Sequence, residues 1–384
     1  MSVDEKTLKD IEEIKKEIKK EFIEPIILFI ENKQKNKLSP ELYMQEYSKL
    51  QNIVNSGDNE AGLVYLFHNE VVKDYITKNF KLISSQPKEE LIDLFIKQTE
   101  NINYFMYWSF CLFCYLDRFY LKAKNRITLS KTEMNLYKEI YFNPIKDDIF
   151  KELCRLIKQD RNGNNETRNK IKSVMKILND MDIKEPQITS EKKQGIWIPD
   201  KNNSEPYNHF TYFYQNEWFE KFFKDETIQF AKEKAEKEIA ANSPFEFILS
   251  QLKYIEEEKE RQREYINEKY HDSINKINYQ FLLGNVEELI RMDNGIASMF
   301  ENKKKDELKK AYELLKLYEP SLNNLKEAFV YFMKKKCEEL KEKKEGKGGE
   351  EFTNFKNGLD GLIVECFEND SRFKDEKNKI VLNY

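Results

Sequence analysis

The sequence predicts an all-α protein, and three observations carry that prediction. Glycine and proline are scarce, with 11 and 9 among 384 residues, so turns are few and the elements between them are long. Apolar residues recur at helical spacing along most of the chain. Aromatic residues make up 13% of the sequence, which is enough apolar surface for a packed core in a chain that is also 35% charged.

The charge balance and the cysteine usage exclude several classes of protein. The net charge is −4 and the isoelectric point is 5.8, whereas nucleic-acid-binding domains usually have a basic face and a value above about 9. The five cysteines are mostly scattered, which suits a reducing compartment rather than a disulfide scaffold. The N-terminus lacks the apolar stretch of a secretory signal. We therefore expect a cytoplasmic and nuclear protein that binds neither nucleic acid nor membrane.

The first three predicted helices follow one another closely. The first covers residues 4–30 and has one apolar stripe. The second begins near Pro40, because serine at position 39 is a good N-cap and proline is favoured in the first turn. The third spans about residues 61–83.

Two further helices complete the first 145 residues. A long fourth helix follows Pro87 and has no other proline or glycine as far as residue 126. A fifth restarts near residue 128, where Ser130 and Glu133 have the spacing of a capping box, and it ends before Pro144.

The rest of the chain repeats this pattern. A helix after Pro144 ends at Gly163, a residue suited to a helix C-terminus, and another helix follows. Residues 184–206 are predicted to be a polar loop whose "GIWIP" is the only strand-like stretch. An aromatic helix precedes Pro244, which starts the next one. Later helices are predicted at about 270–300, 304–318, 320–344 and 350–368, with "KEKKEGKGGEE" as a solvated linker between the last two.

Catalytic and metal-binding signals are weak. The three histidines His68, His209 and His271 are far apart and lack metal-ligand spacing, so each is expected to be structural or on the surface. "GKGG" at 346–349 lacks the other elements of a phosphate-binding loop. Carboxylate pairs such as Glu256 and Glu258 lie in charge runs, which usually form a solvated helix face. We predict no catalytic residue, no cofactor and no metal.

The stretch "SFCLFCYLDRFY", residues 109–120, places Cys111 and Cys114 in a C-x-x-C spacing. A tetrahedral zinc site needs two more ligands, and no second pair of cysteines or histidines exists. A redox pair favours a helix N-terminus, whereas these cysteines lie deep in the fourth helix. The apolar run around them is about 13 residues, too short to span a membrane. The pattern favours a helix buried by its neighbours, in which cysteine acts as a small apolar residue.

Two stretches resemble the cullin family. The first, from "YFYQNEWFEKFF" to "EEEKERQREYI", matches the middle of the cullin N-terminal region at Tyr214, Phe219, Glu220, Phe223, Thr227, Phe230, Asn242, Glu246, Phe247, Glu257, Glu258, Arg261, Tyr265 and Ile266. The second, "YMQEYSKLQNI" at 43–53, resembles the adaptor-binding helix of the SCF-type cullin. Weaker matches extend the resemblance over essentially the whole chain. It covers only the N-terminal half of the family.

The resemblance implies an elongated stalk of three stacked five-helix cullin repeats, at residues 1–145, 146–269 and 270–384. It implies a non-catalytic scaffold of an SCF-like ubiquitin ligase, whose first repeat binds a BTB-fold, SKP-type adaptor that carries an F-box protein. A RING-box protein would bind only through the C-terminal cullin homology domain, which is not in this chain. By position, the implied adaptor-binding residues are Tyr43, Met44, Tyr47, Leu50 and Ile53 from the second helix and Ile127, Leu129, Lys131 and Met134 from the fifth.

Four positions depart from the SCF-type pattern. Ile127 and Ser130 stand where tyrosines are usual, Glu46 where an apolar residue is usual, and Gln51 where an aromatic one is usual. We therefore expect an adaptor that has adapted to these residues. Two alternatives stay open at this point: a helical-rod subunit of a vesicle-tethering complex, and a thiol oxidoreductase that uses Cys111 and Cys114.

Overall fold

The computed structural model describes residues 3–32, 39–85, 87–182, 213–284, 289, 295–342 and 348–382. Within these ranges every regular element is a helix, so the all-α prediction is confirmed for them. The chain divides into two compact units, Met1–Phe219 and Glu220–Tyr384. The finer division into three repeats, and the elongated arrangement of those repeats, stay predictions.

Unit 1 contains the predicted helices of the first half of the chain. They are α1 (Glu5–Ile18), α2 (Glu24–Asn32), α3 (Pro40–Ser56), α4 (Asp58–Ser84), α5 (Leu91–Leu116), α6 (Leu129–Leu136), α7 (Lys146–Arg161), α8 (Arg168–Asp182) and α9 (Phe213–Trp218). Single π-helical turns continue four of them, at Lys19–Ile23 after α1, Asp117–Leu121 after α5, Tyr137–Phe142 after α6 and Phe219–Phe223 after α9.

Aromatic side chains fill the core of unit 1. Tyr75 of α4 stacks on Phe105 of α5 with ring centroids 4.1 Å apart, and Phe67 meets Phe113 edge-on at 5.7 Å. All four side chains are at most 2% exposed. Complete burial of each such side chain stabilises the fold by roughly 1.5–3 kcal/mol. The packing of α4 against α5 is therefore a main source of stability for the core against which the neighbouring helices pack.

Helix ends are where the sequence patterns predict them in three cases. The Ser39 hydroxyl accepts the N–H of Leu42 at 3.1 Å and caps α3. Gly163 follows α7 with a φ of +96°, a conformation that glycine adopts without steric cost. Ser243 and Glu246 form a reciprocal capping box at the start of α11 (Pro244–Tyr265).

Unit 2 contains α10 (Lys224–Ala241), α11, α12 (His271–Leu282), α13 (Ile296–Glu301), α14 (Lys305–Leu315), α15 (Glu319–Glu342), α16 (Gly348–Cys366) and α17 (Ser371–Leu382). Its core is again aromatic. Phe367 stacks on Phe373 at 4.3 Å, and both rings are fully buried. This contact holds α17 against the end of α16.

Two predicted boundaries in unit 2 are wrong, and one helix was missed. The helix expected at 270–300 ends at Leu282 with Leu283 as its C-cap, because Gly284 comes next and glycine interrupts helices. The predicted linker reaches too far, since α16 already begins at Gly348. Helix α17 was not predicted; its start is capped by Asp370, whose carboxylate accepts the N–H of Arg372 at 2.9 Å. The polar loop predicted at 184–206 lies outside the described residues.

The glutamates of α11 do not all lie on a solvated face, so that prediction is also wrong. Glu258 is 4% exposed and Arg261 is 3% exposed. The Arg261 guanidinium donates to Glu258 at 2.9 Å and to Glu257 at 3.1 Å, and it lies 5.7 Å from the Tyr254 ring. A buried arginine is tolerated here because its charge is paired and hydrogen-bonded.

Candidate functional site

Helix α3 presents two different faces. Glu46, Leu50, Ile53 and Val54 point into unit 1 and are buried. The opposite face is accessible and, apart from the paired Lys49 at its edge, carries no charged side chain from Met44 onward, although 35% of the whole sequence is charged. Its exposed or half-exposed positions are Met44, Gln45, Ser48, Gln51, Asn52 and Asn55. Depletion of charge with retention of Tyr and Met is typical of the centre of a protein interface.

Two tyrosines fix this face of α3 onto α5. The Tyr43 hydroxyl donates to the carbonyl oxygen of Cys111 at 3.0 Å, and its ring stacks on Tyr47 at 6.0 Å. Burial raises the pKa of both phenols, so each hydroxyl stays protonated and able to donate. The tyrosines are therefore half-buried and held in place, and Met44, which follows Tyr43 in the sequence, has 53% of its surface exposed.

The stacked tyrosines of α3 begin a row of aromatic rings that continues to the end of α5. Tyr47 meets Tyr115 edge-on at 6.3 Å, and Tyr115 stacks on Phe119 at 4.3 Å. The Tyr115 hydroxyl also donates to the Asn55 side chain at 2.8 Å. Phe119 lies in the π-helical turn after α5 and is 57% exposed. The row therefore extends the accessible apolar surface to Tyr115 and Phe119, which sequence reasoning missed; their i, i+4 spacing at the end of an apolar run was the available signal.

Helix α6 is held at its N-terminus by two groups. Thr128 is the N-cap and its hydroxyl accepts the N–H of Lys131 at 3.3 Å. The carboxylate of Asp117 accepts the N–H of Leu129 at 2.9 Å. Both satisfy backbone donors that the first turn of a helix leaves free. Asp117 thereby ties the start of α6 to the π-helical turn that contains Phe119.

The capping box predicted at Ser130 and Glu133 is wrong. The helix begins two residues earlier than that box requires, because Thr128 already has an extended backbone and occupies the cap position. Ser130 is 8% exposed and Glu133 is fully buried. Glu133 instead accepts a hydrogen bond from, or pairs with, the imidazole of His68 on α4, with Nε2 and Oε1 2.9 Å apart.

The nine residues predicted to bind an adaptor separate into three groups by exposure. Met44, Ile127 and Lys131 are exposed, and Tyr43, Tyr47 and Met134 are half-buried. Leu50, Ile53 and Leu129 are at most 7% exposed. The last three have almost no surface to offer a partner in this structure; they pack beneath the accessible six.

Glu46 and Ser130, two of the positions that depart from the SCF-type pattern, also face the interior of unit 1. This changes the conclusion drawn from them about the adaptor. The Glu46 carboxylate pairs with Lys49 at 2.7 Å, and Lys49 pairs in turn with Glu17 of α1 at 2.8 Å. Glu46 is fully buried. A partner has no need to adapt to either position, because neither is reachable from outside. Glu46 instead helps to attach α3 to α1.

The cysteines at 111 and 114 are half-buried rather than fully buried, and both are free thiols. Burial raises the pKa of Cys111 to about 11 and raises that of Cys114 as well. The thiolate is the reactive form of cysteine, so these thiols are protonated and slow to react at neutral pH. Across the described residues, no group of His, Cys, Asp or Glu is arranged to hold a metal ion.

Two of the three histidines have structural partners close to them. His68 is fully buried against Glu133, and the His271 Nε2 lies 3.1 Å from the carbonyl oxygens of Gln262 and Ile266, where it joins α12 to the end of α11. His209 lies outside the described residues. None of the helices described is long and apolar enough to cross a membrane.

Comparisons with known proteins agree with the helical architecture. The family profile named Cullin alpha solenoid domain matches residues 20–381. Cullin-3 of Dictyostelium discoideum is 22% identical over 80% of this chain and 38% of its own length. Cullin-3A of Arabidopsis thaliana is 22% identical over 69% of this chain and 33% of its own. Cullin-1 of rice, Oryza sativa subsp. japonica, is 24% identical over 39% of this chain and 20% of its own.

Two facts follow from these matches. The chain spans well under half the length of the curated relatives that it matches. Relatives named cullin-3 and cullin-1 both match, so the SCF-type subtype suggested by the sequence stays a proposal. The profile covers nearly all of the chain, including both units and every helix of the accessible α3–α6 surface. This chain belongs to the cullin family.

Proposed function

We propose that this chain is the N-terminal, non-catalytic scaffold part of a cullin–RING ubiquitin ligase of the SCF-like type. In this proposal α3 and α6 bind a BTB-fold, SKP-type adaptor that carries an F-box substrate receptor. The helical units act as a spacer between that adaptor and a RING-box protein, which binds through the part of a cullin that this chain does not contain. Membership of the cullin family supports the scaffold role.

One observation carries the adaptor site. Met44 is 53% exposed on α3, and it directly follows Tyr43, a side chain that is already fixed by stacking on Tyr47 and by its hydrogen bond to the Cys111 carbonyl oxygen. Fixed aromatic side chains lose little conformational entropy when a partner binds, and such anchors carry most of the binding energy of an interface. We define the docking surface as Tyr43, Met44, Tyr47, Tyr115, Phe119, Ile127, Lys131 and Met134.

Calorimetry with a recombinant SKP-type adaptor tests this proposal. Replacing Tyr43 and Met44 together with alanine should cost more than about 2 kcal/mol of binding free energy, the scale of an interface hot spot. Because Tyr43 also has a structural hydrogen bond, circular dichroism must show that the helices remain. Unchanged affinity for the adaptor in a folded double variant would show that these residues of α3 do not form the adaptor site.

A single substitution gives a cleaner comparison. Met44→Glu places a charge on the docking surface at an exposed position, and it should abolish adaptor binding because the charge would be desolvated in the interface. Val364→Glu is the matched control, since Val364 is 60% exposed on α16 of unit 2. The control should bind the adaptor like the wild type. Equal loss in both variants would contradict a specific site.

A further inference from the structure

The segment that links α5 to α6 is strongly basic in a chain that is acidic overall. Between positions 118 and 131 it contains Arg118, Lys122, Lys124, Arg126 and Lys131 and no acidic residue. The whole chain has a net charge of −4. A local excess of one sign on an otherwise balanced surface creates a potential that attracts the opposite charge.

The positive charge of this segment is mostly not neutralised within unit 1. All five side chains are exposed. Lys124 pairs with Asp58 at 2.5 Å, and Arg126 lies 5.3 Å from the Tyr120 ring. Arg118, Lys122 and Lys131 form no ion pair with any residue that the structure describes. Asp117, the acidic residue that precedes Arg118, is half-buried and already accepts the N–H of Leu129.

These cations lie at the edge of the docking surface, to which Lys131 itself belongs. Arg118 is adjacent in sequence to Phe119, and its charge lies near enough to Tyr47 to counteract in part the effect of burial on that phenol's pKa. Lys122 directly follows the π-helical turn that contains Phe119. Lys131 lies in the first turn of α6, four positions after Ile127. The apolar centre of the docking surface is uncharged, and its edge on the α5–α6 side is cationic.

We propose that this cationic edge selects an adaptor whose surface is acidic around an apolar contact, and that it accelerates their encounter. The proposal rests on the proposed adaptor site and adds the charge of the partner. Charges at the rim of an interface chiefly change the association rate and its salt dependence, whereas buried apolar anchors chiefly change the dissociation rate. The two contributions are therefore separable by kinetics.

A protein partner fits this edge better than a nucleic acid does. The cations are confined to one segment beside exposed Met44 and Phe119, whereas nucleic-acid sites combine an extended basic face with contacts to phosphates. A surface with an apolar centre and a charged rim has the anatomy of a protein–protein interface.

Association kinetics with the SKP-type adaptor test the proposal. The rim variant replaces Arg118, Lys122 and Lys131 with glutamate, and the control variant makes the same replacement at Lys253, Lys276 and Lys309 of unit 2, which are also exposed. At about 50 mM salt the rim variant should associate at least about ten-fold more slowly than the wild type. At about 500 mM salt the difference should fall below about two-fold, because salt screens exposed charges. The control variant, with the same change of net charge, should stay within about two-fold of the wild type at both salt concentrations.

Each of the other possible outcomes of these kinetic measurements leads to a different conclusion about the cationic edge or the adaptor site. Equal slowing of rim and control variants would show a net-charge effect and overturn the proposal. If Met44→Glu abolishes binding while the rim variant associates normally, the adaptor site stands and the cationic edge does not. If the wild type does not bind the adaptor, both proposals fail. Binding of a random-sequence DNA duplex that only the rim variant loses, with normal adaptor association, would assign the segment to nucleic acid instead.

Discussion

The imidazole of His68 and the carboxylate of Glu133 lie 2.9 Å apart inside unit 1, and neither side chain exposes more than 1% of its surface. The pair joins α4 to α6, so it fixes one of the two helices of the docking surface to the aromatic core. The Phe113 ring of α5 packs edge-on against the imidazole at 5.1 Å. A buried polar pair of this kind determines where a helix sits because only one arrangement satisfies both partners.

Removing one member of this pair should destabilise the protein strongly. Glu133→Ala leaves the imidazole buried without its partner and creates a cavity, and breaking a buried pair in this way costs about 3–5 kcal/mol. Chemical denaturation of the wild type and of Glu133→Ala measures the difference in the free energy of unfolding. Glu133→Gln keeps the shape and an acceptor for the imidazole, so it should cost clearly less. Equal stability of wild type and Glu133→Ala would show that the pair does not hold α6.

The same pair predicts a dependence on pH. Burial raises the pKa of the Glu133 carboxyl above its ordinary value of 4.5, although His68 opposes the shift. An acid whose pKa is raised by folding contributes its stability fully below the ordinary value and loses it as pH rises through the folded value. The titratable groups that face it are His68 on α4 and Asp117 after α5. Relative to Glu133→Gln, the wild type should therefore lose unfolding free energy as pH rises above about 4.5; a difference that does not change with pH would contradict this.

Local patterns predicted the fold better than the site, and α3 and α6 show why. Ser39 and Pro40 marked the start of α3 correctly because a cap depends only on neighbouring residues. Ser130 and Glu133 matched a cap equally well in sequence, but Glu133 has a partner 65 positions away on α4, and such a contact leaves no local signal. Helical spacing placed Leu50 and Met44 on the same helix. It did not reveal that Leu50 faces the core and Met44 faces solvent.

The ion pair of Glu46 and Lys49 should also be sensitive to the loss of one member. Lys49→Met leaves the fully buried Glu46 carboxylate without its cation, which should cost about 3 kcal/mol or more. The double variant Glu46→Met, Lys49→Met removes the charge as well as its partner, so it should recover most of that loss. Thermal and denaturant unfolding of the wild type, the two single variants and the double variant give the coupling energy. If the loss of unfolding free energy in the double variant equals the sum of the losses in the two single variants, the two residues act independently.

The two cysteines of the C-x-x-C spacing should react slowly in the native protein. Because burial raises the pKa of Cys111 to about 11 and that of Cys114 above its ordinary value, almost none of either thiol is ionised at neutral pH. Iodoacetamide labelling at pH 7, read by mass spectrometry, should therefore be slow in the folded chain and fast after denaturation. Rapid labelling of the native protein would instead favour the thiol oxidoreductase alternative.

Phe119 should contribute to adaptor binding through apolar contact rather than charge. Its ring is 57% exposed and rests on Tyr115, so a partner can cover it without any rearrangement of α5. Phe119→Ala should weaken adaptor binding by about 1–2 kcal/mol, below the full hot-spot scale because the ring lies at one end of the row. The loss should appear in the dissociation rate and should be the same at low and high salt, in contrast to the rim variant. Tyr331→Ala is the matched control, because Tyr331 is 64% exposed on α15 of unit 2. If Phe119→Ala and Tyr331→Ala bind equally well, the docking surface ends at Tyr115.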